Sequence, residues 1–436
     1  MKVLKFGGTS VGSAKRFEEV SRIITSGGKD IVVLSAMSGT TNSLVEIAGY
    51  LANHNQDGAR DTVASLHGKY NGVIQELYSK PESKAQAQAY IDGIFQELAD
   101  IAEEPFGDIQ ERIILSKGEL MSTYMMTTFL QEKGVNAKLL PALSFMRTNA
   151  LAEPDMESIK VSLNEILQKE KEADLYITQG YICLNARGEV DNLQRGGSDY
   201  SACIIGAVTG AEEIQIWTDI DGMHNNDPRV VENTSAVRHL YFDEAAELAY
   251  FGAKILHPTC ILPARYANIP VRLLNTMEPQ APGTLIDSVP DSGIKAVAAK
   301  DNIVAIKIKS SRMLLAYGFL RKVFEIFETY RTSIDMICTS EVEVSLTIDD
   351  TRYLNEIIHD LKKYGTVSVD LDMCIVCVVG DMDWTNCGYE SKVLEAVKDI
   401  PVRMVSYGGS NYNISLLVRE EDKAATLRSL SKYLFE

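Results

Sequence analysis

The sequence contains no run of about 18 apolar residues, the length a helix needs to span a bilayer. It also opens without a charged-then-apolar leader: Met1-Lys2 passes straight into a short strand-like run, so a cytoplasmic protein is expected. Positive charge is scarce. With 43 Lys and Arg against 60 Asp and Glu, the formal net charge is −17, which argues against nucleic acid or an anionic membrane surface as a partner. Only six histidines occur, and none has the spacing of a metal motif such as H-E-x-x-H, so no protein-built metal site is expected. The seven cysteines are odd in number and lack framework spacing, which fits a reducing compartment. Cys374-Ile-Val-Cys377 matches C-x-x-C but lies in an apolar run that reads as a buried strand, where residues three apart point to opposite faces.

Two glycine pairs, far apart in the chain, carry the chemistry. Val3-Leu-Lys-Phe-Gly-Gly-Thr-Ser-Val11 and Leu193-Gln-Arg-Gly-Gly-Ser-Asp-Tyr200 each read as a strand that turns through glycine into a helix. Such a turn brings bare backbone N–H groups and the positive end of a helix dipole to one place, which suits phosphate oxygens. A side chain there would hold the backbone away from the anion. Lys5 precedes the first pair, and Arg195 and Asp199 bracket the second, so the stretches suggest a site that moves a phosphoryl group onto a carboxylate. Neither turn matches G-x-x-x-x-G-K-[ST] or G-x-G-x-x-G, which disfavours a P-loop and a nicotinamide-binding fold. A third stretch, Ile216 to Arg229, is a strand followed by an acidic loop. It lacks the EF-hand glutamate, and Thr218, Asp219, Asp227 and Arg229 could instead contact a nucleotide.

At 436 residues the chain exceeds what one core supports, so two or three domains are expected. Strand-like runs at 3–6, 30–35, 137–140, 175–179, 214–218 and 271–274 alternate with helical stretches, which predicts one α/β domain with a mainly parallel sheet and helices on both faces over 1–290. Ser116-Lys-Gly-Glu-Leu-Met-Ser122 reads as a loop that starts a helix. Beyond the polar boundary at 287–293 the pattern becomes βαββαβ, the ferredoxin-like order, over 300–372, with a helix predicted at 314–330. A second such unit at 373–436 stops one strand short. A surplus strand at 294–299 is expected to complete it, so that the first unit is inserted into the second.

Taken in order, KFGGTSV (Lys5 to Val11), SKGELMS (Ser116 to Ser122), RGGSDYSA (Arg195 to Ala202), WTDIDG (Trp217 to Gly222), DPR (Asp227 to Arg229) and AAELAYFGAKILHP (Ala245 to Pro258) resemble the aspartate kinases from end to end. The tail, notably Ser333 to Ser345, resembles their paired ACT domains, in the single-function form without a homoserine dehydrogenase extension. The resemblance implies an amino-acid-kinase fold followed by two ferredoxin-like ACT domains, and ATP-dependent phosphorylation of the aspartate side-chain carboxylate at the head of lysine, threonine and methionine biosynthesis. It gives Lys5 the charge on the transferring group and Asp199 the ordering of the glycine turn. Glu119 would bind the substrate amine and Arg195 its α-carboxylate. Ser35, Thr41, Gly196, Gly197 and Ser198 would complete the substrate site. Lys5, Phe6, Gly7, Gly8, Thr218, Asp219, His224, Asp227, Arg229, Lys254 and Ile255 would hold the nucleotide, with Mg2+ on its phosphates. His224 stands where the family usually has tyrosine, and its smaller ring should stack less well. A substrate carboxylate is already a nucleophile at neutral pH, so no general base is required.

ACT domains pair side by side, which implies a homodimer. By resemblance to lysine-sensitive members, Met313, Ala316, Phe319, Leu320, Asp335, Ser340 and Glu341 would line an effector site, with Asp335 receiving an ammonium group. Ala316 replaces a serine of that pattern. Lysine is the expected inhibitor and threonine the second choice. The competing readings are another kinase of this fold, acting on glutamate, acetylglutamate or carbamate, and a catalytically inactive ACT sensor of amino acids.

Overall fold

The computed structural model describes residues 1–193, 196–252, 256–310 and 317–436. They form two compact units, Met1–Met223 with Ile255–Val289, and His224–Lys254 with Pro290–Glu436.

In the first unit the strands run in the order Ala137–Leu140, Leu175–Gln179, Ile31–Leu34, Val3–Phe6, Ile214–Thr218, Val271–Asn275, all parallel, with Thr284–Asp287 added antiparallel. Val3–Phe6 and Ile31–Leu34 are buried at every position, as expected of strands covered on both faces. Leu4 and Phe6 enter a core shared with helices Ala14–Thr25, Thr40–Ala52, Gln56–Leu77, Pro81–Ile101 and Asp108–Glu132. Alternation then turns Val3 and Lys5 to the other face, where helix Gly197–Thr209 lies.

The expected loop at Ser116–Ser122 is instead the middle of helix Asp108–Glu132. Gly118 is there for packing, not for a turn. A Cβ on it would stand 2.6 Å from the Ala36 Cβ, so glycine lets the helix approach the loop after strand Ile31–Leu34.

In the second unit six described strands form an antiparallel sheet in the order Ile337–Thr339, Glu343–Ile348, Ile294–Lys309, Thr366–Gly380, Asn413–Arg419, Met404–Tyr407. What the sequence presents as four strands is two long ones. Ile294–Lys300 pairs with Ile375–Gly380, and Val304–Lys309 pairs with Glu343–Ile348 on one side and Thr366–Asp370 on the other. Both long strands break register where the halves join, at Lys300/Ile303, and Asn302 (φ 59°) and Asp372 (φ 54°) take the left-handed backbone that short polar side chains tolerate. Separate cores lie under the two halves, one around Ile306, Val323 and Leu346 and one around Val376, Val393 and Leu416. The helix expected from 314 is described as Phe319–Thr329; its first residues lie outside the described set.

Residues 224–254, expected within the first domain, belong to this second unit. Val231 enters the core around Val376, Val297 donates its N–H to Asn225 at 2.8 Å, and Asn413 donates to Glu247 at 2.6 Å. Sequence order does not reveal such contacts, because their partners lie between 72 and 166 residues downstream.

In an exposed helix Gly118→Ala would stabilise by about 1 kcal/mol. Here it should lower the melting temperature, and adding Ala36→Gly should recover much of the loss; thermal denaturation of the two single variants and the double variant checks this.

Candidate active site

The C-terminal ends of parallel strands are where open α/β sheets bind ligands, and the first unit gathers its candidate residues there. Lys5 sits one residue before the end of the central strand, paired to Val33 on one side and Ile216 on the other. Its Nζ lies 2.7 Å from Asp199 Oδ1, and both side chains are largely buried, 10% and 14% exposed. The contact is an ion pair without hydrogen-bond alignment, since Asp199 Oδ1 is buried and accepts no hydrogen bond among the described residues.

Both glycine turns are crowded. Gly8 begins the short helix Gly8–Val11, and a Cβ on it would stand 2.8 Å from the Ala36 carbonyl oxygen, while Ser38 donates its N–H to the Gly8 carbonyl at 3.0 Å. A Cβ on Gly7 would stand 3.7 Å from Lys5 Nζ, so the first turn passes directly beside the ammonium. Gly196 caps helix Gly197–Thr209 with φ 73°, and a side chain on it would meet Cys260 Sγ at 2.3 Å. Asp199 falls in the first turn of this helix, where its charge is favoured and where the leading N–H groups have no intrahelical acceptor.

Glu119 projects from helix Asp108–Glu132 and is 4% exposed; its Oε1 accepts the Ala36 N–H at 3.2 Å. Burial pushes its carboxyl up to about 8, against the partial relief of that hydrogen bond. The helix is tied to the same loop by Ser122 Oγ, which donates to the Ser35 carbonyl at 2.8 Å. The buried Gln179 side chain bridges Thr123 Oγ1 and the Ala142 N–H, at 2.7 Å each. Ser35 is half-buried at the end of its strand, and Thr41 is exposed in the first turn of helix Thr40–Ala52. Thr218 ends the neighbouring strand with Oγ1 turned into its own loop, accepting the Ile220 N–H at 3.2 Å, and Asp219 beside it is exposed.

Lys5, Gly7, Gly8, Ser35, Thr218, Gly196, Gly197, Ser198 and Asp199 thus share one edge of the first unit's sheet. Phe6 does not join them through its side chain, which is fully buried and stacked on Trp217 at 5.6 Å; only its backbone is available. Arg195, Lys254 and Ile255 lie outside the described residues, as do Met313 and Ala316. His224, Asp227 and Arg229 belong to the second unit. There His224 Nδ1 lies 3.0 Å from Thr234 Oγ1, and Arg229 clasps Asp227 at 2.9 and 2.8 Å, holding that carboxylate below its usual range.

Of the residues expected at an effector site, Phe319 is buried at the start of its helix, Leu320 and Glu341 are exposed, and Ser340 closes a turn with Glu343. Asp335 is already engaged. Its side chain is fully buried, with Oδ1 2.6 Å from Tyr250 Oη and 2.7 Å from Lys300 Nζ, and with Oδ2 buried and without a hydrogen bond among the described residues. Lys300 also reaches Asp349 at 2.9 Å and lies over the Tyr250 ring at 4.4 Å. Burial opposes its charge, yet the carboxylates prevail and hold its ammonium above the ordinary value.

A model of the amino acid kinase family matches residues 1–275, and an ACT domain model matches 376–434. The first unit has the sheet and helix layers of that kinase fold. Lysine-sensitive aspartokinase 3 of Escherichia coli (strain K12) is 33% identical over 451 residues, covering 100% of this chain and 99% of its own length. Among solved structures, E. coli aspartokinase III in complex with aspartate and ADP (R-state) matches with a TM-score of 0.85 at 32% identity, and the complex with lysine and aspartate (T-state) with 0.81 at 31%; both matches cover the whole of each chain. The chain belongs to the aspartokinase family, phosphotransferases with a carboxyl group as acceptor. Among the described residues, no helix is long and apolar enough to cross a membrane.

With no ligand bound, Glu119 holds its proton up to a pH of about 8, whereas an unfolded glutamate releases it near the ordinary 4.5. The native state is therefore progressively penalised as pH rises from about 4.5 to about 8, with a constant penalty above. Glu119→Gln keeps the acceptor for Ala36 and removes the charge. Its melting temperature should exceed that of the native chain by a margin that widens across this window and then levels, measurable by calorimetry against pH.

Proposed function

We propose that the chain transfers the γ-phosphoryl group of ATP to the side-chain carboxylate of L-aspartate, and that lysine inhibits it. The observation that carries the catalytic reading is the buried Lys5–Asp199 pair beside two side-chain-free turns on one sheet edge. A carboxylate oxygen attacks the γ-phosphorus, the new O–P bond forms as the bond to the β,γ-bridging oxygen breaks, and ADP leaves. No proton moves. Lys5 neutralises charge on the moving group, and Asp199 fixes Lys5 and the start of its own helix. Glu119 receives the substrate ammonium, whose arrival draws the Glu119 proton off and leaves a buried ion pair. Arg195 takes the α-carboxylate, Ser35, Thr41 and Ser198 orient the substrate, and Thr218, Asp219, His224, Asp227, Arg229, Lys254 and Ile255 take the nucleotide. Magnesium arrives with the nucleotide, where it screens phosphate charge. The related complex with aspartate and ADP supports the substrate pair.

Formation of hydroxamate from trapped acyl phosphate tests the reaction. Signal is expected with aspartate and ATP but not with glutamate, and Lys5→Ala should lower kcat by about 100-fold or more. A folded, ATP-binding protein that gives no signal with either amino acid would favour the sensor.

For regulation, the lysine complex of the related enzyme supports the effector, and Asp335 is the acceptor proposed for its ammonium. The strand Ile337–Thr339 lies at a sheet edge with Ile337 exposed, which supports pairing of two copies through this domain, and the cytoplasm as location fits the reduced cysteines. Because Lys300 already holds Asp335, an arriving lysine has to displace it. Lys300→Met leaves a buried carboxylate in need of a cation, so half-inhibition should occur at a roughly tenfold lower lysine concentration. Inhibition unchanged in that variant would remove Asp335 from the effector site.

A further inference from the structure

Tyr181 follows Gly180 at the end of strand Leu175–Gln179 and has φ 69°. Residues with bulky side chains avoid this left-handed region, and where one persists there the surroundings impose it. The imposing contacts all come from the segment that carries the second glycine turn. The Tyr181 N–H donates to Ser201 Oγ at 2.9 Å, Ser201 Oγ donates in turn to the Gly197 carbonyl at 2.8 Å, and the Tyr181 carbonyl accepts the Leu193 N–H at 2.6 Å. The ring lies on Gly197 so closely that a Cβ there would stand 2.4 Å from ring Cδ2. Gly180 is pressed on Ser198 in the same way, a Cβ on it standing 2.6 Å from both the Cβ and the Oγ of that serine. Glycine at 181 would adopt the same φ without strain. A tyrosine kept there at a conformational cost points to a use for the ring, and its hydroxyl makes no hydrogen bond among the described residues.

We infer that Tyr181 is a positioning residue for phosphoryl transfer: its ring and backbone form the mould that fixes the first turn of helix Gly197–Thr209, and with it the places of Ser198 and of Asp199 opposite Lys5. The inference rests on the roles proposed above for Lys5 and Asp199. It also accounts for Gly197 separately from any contact of that glycine with substrate, since the ring occupies the space a side chain would need.

The test uses the full chain, with kcat, both KM values and the melting temperature measured for Tyr181→Phe, Tyr181→Ala, Tyr181→Gly and Lys5→Ala. Tyr181→Phe should stay within about twofold of the native kcat, whereas Tyr181→Ala and Tyr181→Gly should each lose at least about tenfold. Tyr181→Gly should melt no lower than Tyr181→Ala, because glycine accepts the left-handed backbone. Should Tyr181→Ala fail to fold, Tyr181→Gly decides the matter. Native kcat in folded Tyr181→Gly would overturn the inference, as would activity that returns from alanine to glycine in step with stability. Gly197→Ala gives a second readout: its loss should be smaller in the Tyr181→Gly background, where the ring is gone, and additive losses would count against the mould. If Lys5→Ala keeps its activity, the failure belongs to the reading of Lys5 and Asp199 and not to Tyr181.

Discussion

An ammonium and a carboxylate held 2.7 Å apart at the end of the central strand govern the rest of the first unit. Two largely buried charges lose much of their hydration, and their attraction repays that only when the geometry is held from all sides. The fold supplies the hold. Strands on both sides fix the height of Lys5, helix Gly197–Thr209 presents Asp199 from its first turn, and the backbone of both glycine turns fills the space around them. Among the described residues the pair is not fully satisfied, because Asp199 Oδ1 accepts no aligned hydrogen bond. A lysine held by position more than by hydrogen bonds can turn toward a passing phosphoryl group without breaking a network.

Close approach of glycine backbone to a neighbouring segment is the second constraint, and it explains most of the glycines that matter. Gly8 against Ala36, Gly118 against the Ala36 methyl, Gly180 against Ser198 and Gly197 against Tyr181 are four places where one extra carbon would force the walls of the site apart. All four contacts join segments more than 15 residues apart in sequence. The site is therefore assembled by tertiary packing of glycine, and its precision depends on the helices behind it.

How much of this the sequence reveals follows from the same contacts. The glycine turns are legible because glycine pairs at strand-to-helix transitions leave a local pattern, with Lys5 and Asp199 each two residues away. Parallel strands were legible as short apolar runs, buried on both faces. Gly118 misleads because a glycine within a polar heptad has the composition of a loop, while its cause, the Ala36 methyl, lies 82 residues earlier. Residues 224–254 mislead because nothing local shows that Val231 is buried among strands from the end of the chain. Tyr181 is invisible for another reason: positive φ leaves no trace when the residue is not glycine, so only the fold shows the strain. Phe6 shows a limit of motif reasoning, since a motif names positions without telling backbone from side chain.

Two carboxylates buried in different units, Glu119 and Asp335, are both proposed to receive the ammonium of an amino acid, and they meet the cost of being empty in different ways. A buried carboxylate with no cation is expensive, so it must take a proton or a resident cation. Glu119 takes the proton, as its rise to about 8 shows, and gives it up when a cation arrives. Asp335 takes Lys300 and Tyr250. The difference suits the tasks proposed for them. A substrate site must fill and empty at every turnover, and a proton is exchanged with water quickly and leaves no side chain in the way. An effector site must stay closed until the effector is abundant, and displacing a tethered lysine sets a threshold that a proton would not. The lysine inhibition proposed above is then adjustable through Lys300, Asp349 and Tyr250, without touching the residues proposed to bind substrate.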